Sequence, residues 1–254
     1  MRVETFQTSE PPRLRINLAA GRVSLESADT AETTVELEGP REDEAVIEVR
    51  GNEVVVDVER KKLRGSKEHR LSIRAPHGAS VEAHTASADV DGRGRFGDVS
   101  VKTASGDVRF AEAEADASVH TASGDVALER VGGEAEVHTA SGDVEIGHVG
   151  GKATIRSASG DVVVGEAEAG LRVQTASGDQ KIDSVAEGEV ALQSASGDLE
   201  VGVRRGSSVW VDARSMSGET TSELDLGDAP PEEGGQLVEL RATAMSGDIR
   251  IKRA

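Results

Sequence analysis

The chain alternates apolar and polar residues in short runs that return at a fixed interval. Within one interval, Ala135, Val137 and Thr139 share one strand phase, and Val144 and Ile146 begin a second apolar phase. Alternation with a period of two indicates half-buried strands. The Ser-Gly-Asp sequence between the two runs favours a turn. Each interval is therefore predicted to hold two short strands.

The sequence Thr-Ala-Ser-Gly-Asp marks the repeating unit. The aspartates that end successive copies are Asp89, Asp107, Asp125, Asp143, Asp161, Asp179 and Asp198. Their spacings are 18, 18, 18, 18, 18 and 19 residues, and weaker copies end at Glu219 and Asp248. A fixed short period indicates one structural unit stacked on itself. We predict an all-β protein, a single elongated β-solenoid of 18-residue rungs with two short strands per rung, wound right-handed.

Two other repeat architectures fit the sequence less well. Counting in sixes from Val126 reaches Gly132 and His138, which are not the apolar residues that a hexapeptide helix needs. The unit also lacks the paired glycines of the calcium-binding nonapeptide roll.

The array is predicted to be irregular at its two ends. Residues 1–80 form an irregular N-terminal β-strand region that belongs to the same array or caps it, because the open end of a stack must be covered. Residues 81–254 form the regular solenoid, with a Pro- and Gly-rich loop inserted at 228–236. The segment from Leu237 to Ile251 is expected to close the array.

Composition and charge narrow the possible functions. Hydrophobic residues make up 36% of the chain but aromatic residues only 2%, which favours a thin core of small branched side chains. The net charge of -18 argues against nucleic-acid binding, which needs a basic surface. Cysteine is absent, so disulfides and thiol chemistry are excluded. No secretory leader and no transmembrane segment are recognised, and we expect a cytoplasmic protein.

The repeated aspartates are the first candidate for chemistry. Two carboxylates ~4.8 Å apart on adjacent rungs repel each other, so the column needs compensation. Hydrogen bonds from turn N–H groups or from the nearby serine would supply it, and that interpretation predicts no metal. The alternative is a row of cations bound by Asp107, Asp125, Asp143, Asp161 and Asp179.

No catalytic residues and no cofactor are predicted. Ser123, His120 and Asp125 could be drawn as a triad, but nothing distinguishes this copy from its neighbours. His120 and His138 occupy equivalent positions in neighbouring repeats, and a metal shared between them is an open alternative. The scarcity of aromatic residues weakens carbohydrate binding.

Two features are candidate partner contacts. The first is a basic cluster that faces either solvent or an anionic partner, formed by Arg60, Lys61, Lys62, Arg64, Lys67 and Arg70. The second is Trp210, which falls on the outward phase between Val209 and Val211. Its ring is expected to be covered by the inserted loop or the preceding strand, and the alternative leaves it open for a partner.

The Thr-Ala-Ser-Gly-Asp-Val repeats resemble the Toastrack family, a bacterial family of unknown function described as candidate adhesins with a β-strand repeat. The likeness runs from Gly21-Arg22-Val23 to Ser246-Gly247-Asp248. It implies an all-β repetitive solenoid and a non-enzymatic role near cell-envelope stress sensing, with membrane-protein partners. The family has no agreed catalytic residues that could be carried over.

The sequence therefore predicts a non-enzymatic structural or protein-interaction module. Its partner is expected to be an unidentified protein, which the resemblance places at a membrane. The alternatives are a self-assembling scaffold of end-to-end copies in place of a monomer, because an uncapped solenoid end can pair with another, and an ion- or carbohydrate-binding protein.

Overall fold

The computed structural model describes residues 1–8, 10–58, 68–224 and 236–254, and over these residues the protein is built from β-strands. One short 3-10 turn, Glu42–Glu44, is the only helical element among them. The chain divides into two compact units, residues 1–132 and 133–254. The boundary that the sequence predicts at residue 80, between an irregular and a regular region, stays a prediction.

The strands of unit 1 are β1 (Arg2–Gln7), β2 (Arg13–Ala28), β3 (Glu32–Glu38), β4 (Val46–Arg50), β5 (Glu53–Val58), β6 (His69–Pro76), β7 (Ser80–Phe96), β8 (Val99–Lys102), β9 (Val108–Ala113), β10 (Ala117–His120) and β11 (Val126–Val131). The strands of unit 2 are β12 (Ala135–Ser141), β13 (Val144–Val149), β14 (Ala153–Ser159), β15 (Val162–Ala167), β16 (Leu171–Ser177), β17 (Gln180–Val185), β18 (Gly188–Ser196), β19 (Leu199–Val203), β20 (Ser208–Ser215), β21 (Thr220–Ser222), β22 (Leu237–Ser246) and β23 (Ile249–Arg253).

One rung of unit 2 shows how the sequence forms two strands. In β16, Leu171, Val173 and Thr175 are buried while the residues between them are partly exposed. A turn at Gly178 and Asp179 then leads into β17, where Ile182 is buried in the same way. The aliphatic and hydroxyl side chains of successive rungs thus stack inside the solenoid, which confirms the predicted rung of two short strands.

Successive rungs of unit 2 pair in parallel at the repeat period. Ile155 of β14 pairs with Val173 of β16, and Val164 of β15 pairs with Ile182 of β17. In each case the partners are 18 residues apart, so equivalent residues lie on top of one another. This register confirms the all-β solenoid predicted from the spacing of the aspartates. The predicted right-handed winding stays a prediction.

The order of rungs changes at the C-terminal end of unit 2. Strand β22 pairs in parallel with β18 on one side and with β20 on the other, and β23 lies in the same way between β19 and β21. The expectation that Leu237 to Ile251 close the array is wrong. Val238, Leu240 and Ala242 are fully buried because strands cover both sides of β22, whereas β20 belongs to the outermost rung that the described residues form.

Unit 1 contains parallel rungs and an antiparallel cover. Strand β2 is long enough to supply both halves of a rung, and it pairs in register with β7 from Arg13–Ser80 to Glu26–Arg93. On its other side, β2 pairs in parallel with β5 and β6. Strand β4 then covers β5, β3 covers β6, and β1 covers β3, all three as antiparallel pairs.

The core of each unit is aliphatic, as the composition predicts, with a few exceptions. In unit 1, Phe96 and Phe110 meet edge to face with ring centroids 5.6 Å apart. In unit 2, Gln180 takes the place of the usual aliphatic residue after Gly-Asp and is buried with its Oε1 lacking a hydrogen-bond partner. Such a group is costly in a core that is otherwise apolar.

Candidate functional site

The aspartate column is a ladder of side-chain to backbone hydrogen bonds. The N–H of Asp161 donates to Oδ1 of Asp143 at 2.9 Å, and the N–H of Asp179 donates to Oδ1 of Asp161 at 2.9 Å. The series continues from Asp198 to Asp179 and from Asp248 to Asp198, each at 2.8 Å. Each carboxylate thus accepts the turn N–H of the next rung.

The same ladder occurs in unit 1 with longer bonds. The N–H of Asp107 donates to Oδ1 of Asp89 at 3.3 Å, and the N–H of Asp125 donates to Oδ1 of Asp107 at 3.2 Å. These hydrogen bonds stabilise the charged carboxylates without a cation. The alternative of cations along Asp107, Asp125, Asp143, Asp161 and Asp179 stays a prediction.

The candidate triad belongs to this structural pattern. Thr121, which precedes Ser123 and Asp125, accepts the N–H of Gly124 at 3.0 Å and so closes the turn. Thr103 does the same for Gly106 at 3.1 Å in the rung before it. The threonine closes the turn in the same way in these two rungs, so the rung of the candidate triad shares this feature with its neighbour.

The outer column that contains His138 is a row of mutually bonded polar side chains. Arg156 lies between His138 Nε2 at 3.4 Å and Gln174 Oε1 at 3.3 Å, and Gln174 donates to Gln193 at 2.8 Å. His138 also lies 3.3 Å from a carboxylate oxygen of Glu136. In unit 2 this column therefore forms a solvated polar stripe, as its mixed composition suggests.

Most of the basic cluster lies outside the described residues, which is the case for Arg60, Lys61, Lys62, Arg64 and Lys67. Arg70 is described and is the second residue of β6, where it is exposed. Its guanidinium forms an ion pair with Glu38 of β3 at 3.0 Å. This cation is therefore already engaged on the surface of unit 1.

The outermost rung of unit 2 carries Trp210. The register places Trp210 opposite Glu239 of β22 and Val211 opposite Leu240, so Trp210 faces outward as expected. Its side chain is 49% exposed, and Arg241 lies over the ring at 5.7 Å from the centroid. The loop that was expected to cover Trp210 lies outside the described residues apart from Gln236.

Exposed apolar side chains gather around this rung. Next to Trp210, Val211 is 37% exposed although it faces the core side, and Leu237 of β22 is 47% exposed. Met216 and Met245, which follow equivalent positions of β20 and β22, are both largely exposed. Trp210 and Leu237 lie on the outer face, Val211 lies on the core side, and the two methionines lie at the C-terminal ends of the two strands. We call these five exposed side chains the terminal patch.

The structure also brings together a cluster of ionisable side chains that the sequence did not predict. His148, Glu166 and Glu168 bring a nitrogen and carboxylate oxygens within 4.8 Å of one another. Arg204 donates two hydrogen bonds to Glu168, at 2.7 and 2.8 Å, and holds the pKa of Glu168 below its ordinary value. The positive guanidinium of Arg204 would repel a divalent cation at this position. The cluster is therefore best described as an ion-pair network.

The spacing of two charged residues in the sequence could have predicted this cluster. Glu168 and Arg204 are 36 residues apart, which is two rungs, and the fully buried Ala186 occupies the rung between them. A small side chain at Ala186 allows the long Arg204 side chain to reach Glu168. Searching for opposite charges at twice the repeat spacing would therefore have found the pair.

Unit 1 has an open polar groove of about 460 Å³ on the outer face of β2, β3, β6 and β7. Its charged lining residues are Arg22, Arg74, Arg93, Glu26, Glu36 and Asp91. Arg22 lies 4.0 Å from Asp91, and Arg74 lies 3.7 Å from Glu26. Because both signs alternate across the groove, it does not attract a ligand of one charge.

The comparison with protein-family models covers nearly the whole array. The model described as Toastrack DUF4097 matches residues 12–252. The chain belongs to this Toastrack family. The expected resemblance is thereby confirmed, and the match includes both units. A search of curated proteins finds no significant match.

Several solved structures are similar in fold to this Toastrack protein. A candidate adhesin from Bacteroides fragilis shares 13% identity, with a TM-score of 0.47, over 100% of this chain and 97% of the other. A candidate adhesin from Parabacteroides distasonis shares 10% identity, with a TM-score of 0.38, over 100% and 97% of the two chains. A candidate lipid-binding protein from the same organism shares 13% identity, with a TM-score of 0.38, over 99% and 96%.

Among the described residues of this Toastrack protein, no helix combines the length and the apolar character needed to cross a membrane.

Proposed function

We propose that the protein is a non-enzymatic module that binds a partner protein through the terminal patch. The observation that carries this proposal is the concentration of exposed apolar side chains at the outermost rung of unit 2. Five of the nine large exposed hydrophobic side chains among the described residues belong to it. Apolar surface gathered in one place marks an interaction site more often than single scattered residues do.

The repeated turns support a role without catalysis. Aspartate recurs in every regular rung, and the carboxylate of Asp161 accepts an N–H of the neighbouring rung. Thr121 closes the turn within its own rung. A catalytic group needs one local environment that differs from the others. The described residues are therefore better suited to a rigid support for a binding surface.

The proposal also includes a cytoplasmic location and a link to cell-envelope stress sensing through a membrane-associated partner. These points rest on the family resemblance. The basic cluster at Arg60–Arg70 is a second candidate contact within the same proposal, because its charge suits an anionic partner in contrast to the acidic rest of the chain.

Affinity capture from native extract of the source cells tests the proposal. The tagged wild-type protein is compared with a double variant, Trp210→Ala and Leu237→Ser, and with the matched control Val3→Ser, which changes an exposed valine of unit 1. We expect one or more proteins to bind the wild type and the control but not the double variant. Equal recovery by all three proteins, or recovery no higher than with bare resin, would overturn the proposal.

One further variant separates the two candidate contacts. Replacing Arg60, Lys61 and Lys62 by Gln removes charge from the basic cluster and leaves the terminal patch unchanged. Loss of the partner in this variant alone would assign binding to the basic cluster and remove the terminal patch from the proposal. Light scattering of the wild type detects self-assembly, which would replace the partner protein by a second copy.

A further inference from the structure

Among the described residues, strand β20 has one backbone edge that no other strand pairs with. The N–H of Ser208 donates to Gln236 O at 2.8 Å, and the N–H of Met216 donates to Ala244 O at 3.1 Å. In a parallel pair, alternate residues direct their N–H and C=O groups to the same side. The residues between them, Val209, Val211 and Ala213, therefore direct these groups away from β22. Within the described part of the chain, β22 is the only strand that pairs with β20.

The core side of the rung is also left open at this edge. Leu240 of β22 is completely buried, whereas Val211, its partner in β20, is 37% exposed. The apolar column inside unit 2 therefore ends at a side chain that another strand could cover. One strand added beside β20 would both cover Val211 and form hydrogen bonds with the backbone groups at this edge.

The parallel rungs of unit 1 show how such an edge is covered within this protein. Strand β4 pairs antiparallel with β5, and Ile47 of β4 lies opposite Val56. Ile47 is 8% exposed and Val56 is fully buried, whereas the neighbouring Glu48 and Arg50 carry charges. An added strand with branched apolar residues at alternate positions and charged residues between them suits this kind of edge.

The charge of the chain indicates the chemistry of the added strand. The charged residues of β20 and of β22, the strand that pairs with it, are Asp212, Arg214, Glu239 and Arg241. Acidic and basic residues are equal in number among them, whereas the whole chain carries a net charge of -18. A second acidic copy would be repelled over the same surface, while a basic segment would be attracted.

We propose that the free edge of β20 binds an extended basic segment of a partner protein by strand addition. The segment has branched apolar residues at alternate positions, which pack on the core side, and basic residues at the positions between. Its main chain bonds to Val209, Val211 and Ala213, and the ring of Trp210 lies beside it on the outer face. This inference rests on the proposed function and adds the site and the class of partner.

A fluorescent peptide of alternating valine and lysine, about ten residues long, is the probe for this edge. A scrambled peptide of the same composition, with its valines adjacent, is the control ligand. Fluorescence anisotropy is expected to show saturable binding of the alternating peptide alone. Equal binding of both peptides would mean that charge is sufficient, and it would overturn strand addition.

Two substitutions at Val211 separate the backbone from the side chain. Val211→Pro removes the edge-facing N–H at an edge position where proline is tolerated, and we expect at least about tenfold weaker peptide binding. Val211→Thr keeps the N–H and the branched shape, so its affinity should stay within about threefold of the wild type. Unchanged affinity in Val211→Pro would overturn the proposal.

Hydrogen exchange of the wild-type protein tests the same edge without a substitution. The amides of Val209, Val211 and Ala213 should become protected when the alternating peptide is added. Protection at β1 or β4 of unit 1 instead would place the peptide on another edge and overturn the inference. If peptide binding fails while capture from extract still depends on Trp210, the partner-binding function stands and the strand-addition mode is rejected.

Discussion

The N–H of Asp179 donates a 2.9 Å hydrogen bond to Oδ1 of Asp161, the equivalent residue of the preceding rung. Two like charges are thereby kept close by a bond from the backbone N–H of one residue to the carboxylate of the other, and not by a bond between their side chains. The carboxylate of Asp161 is exposed, so water screens the repulsion that remains. The aspartates that suggest chemistry in the sequence thus serve to join one turn to the next.

Removing one carboxylate of the ladder should weaken unit 2 by a modest amount. In Asp161→Ala, the N–H of Asp179 loses its acceptor, and we expect unfolding in urea to require about 1 kcal/mol less free energy. Asp161→Asn retains a side-chain oxygen as acceptor and should lie within about 0.5 kcal/mol of the wild type. Equal losses in the Asn and Ala variants would show that charge, not the hydrogen bond, is required.

Replacing the buried glutamine of unit 2 should stabilise it. Gln180 is 1% exposed, and its Oε1 has no hydrogen-bond partner, whereas Val162 occupies the equivalent position of the preceding rung and is fully buried. Gln180→Val removes this unsatisfied oxygen and should raise the free energy of unfolding by about 1 kcal/mol, after the loss of the Gln180 bond to Thr175 is included.

The reverse substitution in the neighbouring rung is the control for that prediction. Val162→Gln introduces a buried amide and should lower the free energy of unfolding by about 1–3 kcal/mol in the same urea titration. If Gln180→Val is less stable than the wild type, the bonds from the Gln180 amide to Thr175 and to the carbonyl of Gln193 outweigh its unsatisfied oxygen.

The turn glycine of unit 2 should not accept a side chain. Gly178 has a φ of +130°, and a Cβ atom there would lie 2.1 Å from the carbonyl oxygen of Gly160. The backbone conformation alone costs a non-glycine residue about 1–3 kcal/mol, and the clash with a neighbouring backbone adds to it. We expect Gly178→Ala to lower the melting temperature clearly.

Gly51 provides the matched control because it also has a positive φ, at +64°, but nothing lies within 4 Å of its added Cβ. Gly51→Ala should cost about 1–2 kcal/mol, the penalty of the left-handed conformation alone. Equal losses for the two variants would show that close approach of the rungs is not what requires glycine at position 178.

The ion pair between Arg204 and Glu168 should contribute stability only while Glu168 is ionised. Hydrogen bonding from Arg204 lowers the pKa of Glu168 in the folded protein. The contribution is therefore present above the pKa of the unfolded chain and is lost as the pH falls through the folded pKa. Because the pair is partly exposed, solvent screening limits it to about 1 kcal/mol or less.

Urea unfolding of Glu168→Gln at neutral pH and in strong acid measures this contribution. The variant should be less stable than the wild type at neutral pH, and the difference should disappear in acid. Glu145→Gln, which changes an exposed carboxylate of β13, should show a smaller pH-dependent difference. A difference for Glu168→Gln that persists unchanged in acid would mean that packing, not charge, explains the effect.

The surface that we propose for partner binding was only partly predictable. The outward position of Trp210 followed from the alternation of Val209, Trp210 and Val211, and the register of β20 with β22 confirms it. The exposure of Val211 could not be predicted in the same way, because an inward residue is buried only if a further rung covers it. The ion pair of Arg204 and Glu168 could be predicted only by comparing residues two rungs apart in the sequence.

The sequence by itself determined the rung. A period of 18 residues, with apolar residues on alternate positions and glycine at each turn, leaves one way to stack equivalent residues and bury them. Tertiary structure decided the order of rungs at the ends, where β22 enters between β18 and β20 and β2 lies between β5 and β7. Because the rungs have similar sequences, any two of them could pair in a similar way. The alternation of apolar and polar residues therefore cannot predict the order in which the rungs stack. The order depends on which strand is stabilised most by having a neighbour on both sides, and this depends on the whole assembled sheet.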